Sequence, residues 1–234
     1  MKKHGRLIIL FVGLIILLAA SFISCRPVPS STPPTELPNS PETRLPEGKT
    51  QTLVLEDDFS DPESSWVTIP EADKGGNYEN EEYVIWVNNA GSKVATLLTL
   101  DELSDFVFEI DVKKVSGEKG SYFFILYRLD ENNNMYAVGV SDELEYSIVK
   151  YILGRATDLL KDWTRSSHIK AGDKSNRLKV VCIGTQTDVY VNGYKLASVT
   201  DDTSLKGQIG LGIKSFSESG ARYSFDNFKL YTIE

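Results

Sequence analysis

The chain has 234 residues, 25 Lys and Arg against 33 Asp and Glu, and a formal net charge of −8. Such an acidic surface repels phosphate backbones, which argues against a nucleic-acid partner. Two histidines, His4 and His168, are too few for a multi-histidine metal site and make a histidine-based triad a strained reading.

The chain opens with Lys2, Lys3 and Arg6, then runs almost wholly apolar from Leu7 to Ile23 and ends in Ser24-Cys25. A basic start, an apolar stretch and a small residue at the end is the layout of a secretory signal. Phe22-Ile23-Ser24-Cys25 looks like a bacterial lipobox, with Phe22 where leucine is usual. Residues 1–24 are therefore expected to be a lipoprotein signal peptide and Cys25 the lipidated residue. The rival is a permanent membrane anchor, but the apolar stretch is close to the lower length limit of a span. Several acyl chains on one cysteine hold a protein on a membrane where a single chain barely does. This predicts a cell-envelope location, with the remainder of the chain on the extracytoplasmic side.

Residues 25–50 carry seven of the nine prolines. Such a stretch buries no core and favours extended polyproline II, reaching roughly 75 Å at ~3.1 Å per residue. It is expected to be a disordered tether.

From residue 51 to 234 the pattern changes to short runs of Val, Ile, Tyr and Phe separated by Gly, Asn, Asp and Ser. Twelve strands are predicted, at residues 52–57, 83–88, 93–98, 105–112, 121–129, 135–140, 146–152, 177–183, 188–191, 194–199, 207–213 and 222–231. Phe106, Phe108, Ile110 and Val112 alternate with Val107, Glu109, Asp111 and Lys113, giving one buried face and one polar face. Asn192-Gly193 is a hairpin turn, because both residues tolerate positive φ. Gly207, Gly210 and Gly212 lie in a strand pattern, where glycine permits a bulge or a close approach. Cys182, mid-strand, reads as a small core residue, and no disulfide to Cys25 is expected. Asp158–Trp163 and Asp202–Lys206 have short helical character. So many short strands predict an all-β, two-sheet antiparallel jelly-roll sandwich.

The order of features is familiar. Asp57-Asp58-Phe59-Ser60-Asp61-Pro62 and Trp66 open the domain. Gly76-Asn77-Tyr78, Glu82-Tyr83-Val84-Ile85 and Asp105-Phe106-Val107-Phe108-Glu109 follow. Then come Leu126-Tyr127-Arg128, Tyr136, Trp163, Asn176, Val189-Tyr190-Val191-Asn192-Gly193, Gly207-Gln208-Ile209-Gly210-Leu211 and Phe225-Asp226-Asn227-Phe228. Across residues 52–233 the chain resembles the concanavalin A-like lectin/glucanase superfamily, in particular its DUF1080 group of 3-keto-disaccharide hydrolase-like domains. The resemblance implies the fold, and not a function, because that superfamily hosts lectins, glycosidases and inert modules.

Glycosidases of the superfamily carry a strand motif E-x-D-x-x-E. Here Glu109-Ile-Asp111 begins it but Lys114 ends it, so the second essential acid of glycoside hydrolysis is missing. Glu109 and Asp111 are expected on a solvated polar face. No catalytic residue is assigned.

Sugars stack their C–H faces on aromatic rings and need hydrogen bonds for their hydroxyls. Trp86, Tyr127, Arg128, Tyr136, Tyr146, Lys150 and Trp163 are the candidates, with Arg128 as a polar anchor on a concave sheet. Each aromatic has a rival place in the core, and Arg128 a rival role in a strand-end salt bridge to Asp130 or Glu145. The resemblance further implies a structural calcium where the first and last strands meet, with Asp57, Asp58 and Asp226 as ligands; turn capping is the alternative. No other cofactor is expected. Asp130-Glu-Asn132-Asn-Asn134 reads as a hairpin turn.

The leading expectation is a surface-anchored lipoprotein whose non-catalytic module binds a glycan or cell-surface polysaccharide. A structural or protein-binding domain, and a hydrolase acting on a small sugar derivative, are the alternatives.

Overall fold

The computed structural model describes residues 45–160 and 162–234. The expected signal peptide, Cys25 and most of the tether lie outside them. Fifteen strands follow in chain order: β1 (Gln51–Asp57), β2 (Lys74–Glu79), β3 (Glu82–Val87), β4 (Lys93–Leu97), β5 (Phe106–Ser116), β6 (Ser121–Leu129), β7 (Met135–Ser141) and β8 (Glu145–Ile152) come first. Then come β9 (Arg155–Asp158), β10 (Thr164–Arg165), β11 (Asn176–Ile183), β12 (Gln186–Val191), β13 (Tyr194–Thr200), β14 (Gln208–Ser215) and β15 (Ala221–Ile233).

They form two antiparallel sheets. The eight-stranded sheet runs β13-β12-β11-β5-β15-β3-β2, with β1 also on β15. The seven-stranded sheet runs β10-β8-β7-β6-β14-β4, with β9 on β8. This is the predicted jelly-roll sandwich, and its core lies between the sheets. Phe106, Phe108, Ile110 and Val112 of β5 are fully buried there, facing the other sheet's layer of Phe123, Ile125, Leu211 and Ile213. Each such side chain contributes roughly 1.5–3 kcal/mol through burial. Cys182 is buried in the same layer, and burial pushes its thiol up to about 12, so it stays an unreactive thiol.

All twelve predicted strands are present. β2, β9 and β10 were not foreseen. β2 contains Gly75-Gly76 because neighbouring rings occupy the space of side chains there. A Cβ on Gly75 would lie 2.4 Å from the Trp86 ring, and one on Gly76 2.6 Å from the Tyr83 hydroxyl. The local propensity signal is thus sacrificed to a tertiary contact. Asp202–Lys206 is not helical, and the described part of Asp158–Trp163 is the end of β9 followed by bends. The Asn192-Gly193 turn has φ +51° and +85°, as a two-residue hairpin requires.

One irregularity decides the fate of Arg128. Between Gln208 and Gly210 of β14, strand β6 advances from Leu129 to Leu126, one residue more than its partner. The extra residue is a bulge, and Arg128 within it has φ +52°. Unbroken alternation from Tyr122, Phe124 and Leu126 would put Arg128 on the outer face of the sheet. The bulge turns it into the end of the sandwich instead, where it is 1% exposed.

Candidate functional site

The outer face of the seven-stranded sheet is unusually apolar. Antiparallel sheets in water usually pair one apolar face with one polar face. Here cross-strand partners share rows on the outer side. One row is Ala95, Gly212, Phe124, Gly139 and Ser147; the next is Leu97, Gly210, Leu126, Ala137 and Val149.

The glycines leave room for rings to approach the sheet closely. A Cβ on Gly212 would stand 2.4 Å from the Phe124 ring, and one on Gly139 2.9 Å from the Trp163 indole. Tyr122 stands between them, with ring centroids 5.0 Å from Trp163, 6.0 Å from Phe124 and 6.1 Å from Phe216. Trp163 is 39% exposed and Phe216 59% exposed. Burial pushes the Tyr122 phenol up to about 12, with the neighbouring Tyr151 adding to the shift. It therefore stays a neutral hydroxyl that both donates and accepts. The result is a platform of Tyr122, Phe124, Trp163 and Phe216 in which Tyr122 is tilted by 40° to 62° against its three neighbours and Phe124 is itself buried.

The outer face of the eight-stranded sheet is ionic. Arg177 bridges Glu109, 2.8 Å from Nη2, and Asp111, 3.4 Å from Nη1; Lys179 lies 3.0 Å from Glu109. The Glu109 and Asp111 side chains are only 12% and 14% exposed, so this is not the solvated face expected. Burial alone would raise Glu109, but the bonds from Arg177 and Lys179 bring it below its ordinary value. Burial raises Asp111 despite Arg177. Asp226, the cross-strand partner of Asp111, is pushed up to about 6 by burial, with Glu82, Asp111 and Asp58 adding their charge.

The Asp226 shift has a testable sign. Its folded pKa lies above the ordinary 3.8, so the folded chain binds this proton more tightly than the unfolded chain. Its contribution favours folding at low pH and is lost as pH rises through about 6. Asp226→Asn is expected to raise the melting temperature above about pH 7 and to leave it unchanged below about pH 4. Thermal unfolding of both chains across that range checks it; an equal difference at every pH would refute it.

A cleft of about 420 Å³ sits near the end of β5, between Lys114, Lys119, Asp142, Glu143, Arg165 and Asp173. It has mixed charge and no aromatic lining, so it offers no stacking surface. Lys114, where the glycosidase motif would need its last acid, is ion-paired with Asp142 and nearly buried.

A family model described as a 3-keto-alpha-glucoside-1,2-lyase-like domain matches residues 52–231. The chain belongs to this family. A search of curated proteins found no match. Among solved structures, the carbohydrate-binding module CBM66 from Bacillus subtilis is 21% identical with a TM-score of 0.57, over 73% of this chain and 96% of that one. A Bacillus subtilis protein of unknown function with a galectin-like fold has TM-score 0.60 at 9% identity, over 79% of this chain and 98% of that one. A Bacillus licheniformis β-glucanase has TM-score 0.58 at 11% identity, over 76% and 97%. At these identities the likeness establishes the concanavalin A-like fold alone.

In this 3-keto-alpha-glucoside-1,2-lyase-like domain the sequence-predicted ligand residues do not gather. Only Trp163 is on the aromatic platform. Tyr127 is fully buried in the core, stacked on Tyr136 with centroids 5.2 Å apart, and has no surface to offer a ligand. Arg128 is no surface anchor either. It donates to the backbone carbonyls of Gly184 (2.7 Å), Ser104 (3.2 Å) and Ser204 (3.3 Å), not to Asp130 or Glu145. The Tyr136 hydroxyl and Lys150 both hold Asp201, at 2.7 and 2.5 Å, and so clasp the loop after β13. Tyr146 donates to the Leu196 carbonyl at 2.7 Å, joining the two sheets. Trp86 lies on the opposite sheet, over Gly75 and beneath the Arg222 guanidinium, 5.3 Å from its ring centroid.

The three aspartates expected to hold calcium are not gathered into one metal-holding group. Asp57 accepts from the Phe59 amide at 2.8 Å and the Ser64 hydroxyl at 2.7 Å. Asp58 accepts from the Ser60 amide and hydroxyl. Both carboxylates cap the turn that follows β1. Among the described residues no group of three His, Cys, Asp or Glu side chains stands in metal-holding geometry. Asp130 likewise caps its turn, accepting from the Asn132 and Asn134 amides.

The platform residues Tyr122, Phe124 and Phe216 were missed by sequence reading. A signal for the first two existed. Ser121-Tyr-Phe-Phe-Ile-Leu-Tyr127 is apolar on both faces, and its partner strands carry Gly139, Gly210 and Gly212. A strand apolar on both sides needs a second partner for its outer face.

Proposed function

We propose that this protein is a surface-anchored lipoprotein whose sandwich binds a glycan without cleaving it. The observation that carries this reading is the cluster of rings seated against Gly139 and Gly212, with Trp163 and Phe216 open to solvent. An exposed aromatic ring, such as Trp163 or Phe216, offers a face on which the C–H face of a sugar ring can stack. The structural neighbour from Bacillus subtilis is a carbohydrate-binding module, which agrees with it. Lipidation at Cys25 and a proline-rich tether would hold the platform away from an extracytoplasmic membrane surface.

The test is a thermal-shift titration of the full chain against neutral and acidic oligosaccharides. A ligand that binds the native state raises the melting temperature in proportion to the logarithm of its excess over Kd. A saturable rise with a sugar is expected, and a flat response to the whole panel would sink the reading.

Catalysis is the second reading, favoured by the lyase-like family description and by Asp226, a half-buried carboxyl held near 6 directly opposite Asp111. A group titrating there is suited to proton transfer near neutral pH. Under this reading the chain breaks down a 3-keto-α-glucoside and Asp226→Asn does not. A wild-type chain inert towards that substrate removes it.

A further inference from the structure

The row of the platform that carries Tyr122 begins with two lysines. Lys93 of β4 and Lys214 of β14 are direct cross-strand partners, and Lys214 is in turn the partner of Tyr122. Like charges set opposite each other on one face destabilise a sheet. Among the described residues neither lysine forms an ion pair with a carboxylate. This is notable in a chain where acids outnumber bases 33 to 25. The neighbouring Glu118 accepts from the Ser217 hydroxyl at 3.5 Å and forms no ion pair with either lysine.

Lys214 is also held in place. It is half-buried, and its Nζ lies 4.4 Å from the centroid of the Phe216 ring. Burial first, and the charge of Lys93 second, depress its pKa below the ordinary lysine value. The cation–π contact offsets only part of that cost. An unpaired cation pair at the end of a stacking surface is complementary to a negative charge on the molecule that stacks there.

We infer that the glycan recognised by the platform is anionic, its carboxylate or sulfate taken by Lys93 and Lys214 while a sugar ring stacks on Phe216 beside Tyr122. This rests on the platform reading and adds the ligand's charge class to it. The lysines supply an ammonium pair that a neutral sugar leaves unsatisfied. The anionic group adds charge-assisted hydrogen bonds, and the attraction is screened by salt.

The experiment compares matched probes on the full chain. One pair is oligogalacturonate and its methyl ester; the other is a sulfated carrageenan oligosaccharide and its desulfated form. Affinity is measured by titration calorimetry at low and high sodium chloride. The anionic member of at least one pair is expected to bind about tenfold or more tightly than its neutral counterpart, with the margin shrinking at high salt. Which pair shows the margin tells carboxylate from sulfate. The double variant Lys93→Gln, Lys214→Gln is expected to abolish the margin. Its melting temperature should hold or rise, because the repulsion between the lysines is gone. Equal affinity for both members of both pairs overturns the charge preference and leaves the platform standing. A margin that survives the double variant also overturns it, because the charge would then be read elsewhere. No binding to any probe, charged or neutral, overturns both readings together.

Discussion

Arg128→Ala is expected to cost the domain about 3–5 kcal/mol of folding stability, read by urea denaturation followed through tryptophan fluorescence. The guanidinium is 1% exposed and joins three separate loops through their backbone carbonyls, those of Ser104, Gly184 and Ser204. Charged donors to carbonyls contribute about 1.5–3 kcal/mol, more than neutral ones, although Ser104 and Gly184 are exposed and water can take over part of that bonding in the variant. A cavity the size of the lost side chain adds to that. Burying the arginine already carries a penalty, since its Nε has no partner. That penalty is relieved in the variant, which keeps the net effect below a simple sum. Arg128→Lys should recover only part of the loss, because an ammonium's donors all sit on one nitrogen and cannot span the carbonyls that Nη1 and Nη2 reach separately. A loss under about 1 kcal/mol for the alanine variant would mean that the loops hold together without it.

Trp163→Ala is expected to weaken glycan binding at least about tenfold, roughly 1.4 kcal/mol, and to change the melting temperature little. The indole is 39% exposed and leans on Gly139 and Tyr122, so its removal opens no core cavity. Trp86→Ala serves as the comparison. Trp86 belongs to the other sheet, under Arg222, and its loss should leave binding intact. Calorimetry with the sugar that gives the largest thermal shift checks both. If Trp86→Ala weakens binding and Trp163→Ala does not, the platform has been placed on the wrong sheet.

The two tryptophans also measure how far a sequence carries a site. Trp86 lies mid-strand between Ile85 and Val87, and Trp163 lies between Asp162 and Thr164 just before β10, but neither setting tells which ring faces a ligand. What separates them is the residue opposite: Gly139 and Tyr122 for one, Gly75 and Arg222 for the other. Tyr127 and Arg128 show the same limit. Their types suit a sugar site, but strand phase decides whether a ring faces the core or the outside. One extra residue in β6 reverses that phase for Arg128. A bulge of this kind is set by the register between β6 and β14, some eighty residues apart in the chain, and leaves little trace in local composition.

The sequence by itself determined the class of fold, the strands with clear period-2 alternation and the Asn192-Gly193 turn, because these depend on side-chain spacing and local backbone freedom. It also identified the core face of β5 and the buried Cys182. Only the tertiary structure decided which aromatics share a surface, which carboxylates are spent on ion pairs and caps, and that two lysines stand side by side beside a ring. Those are properties of strand register and sheet order, which join residues far apart in the chain and obey packing rather than local propensity.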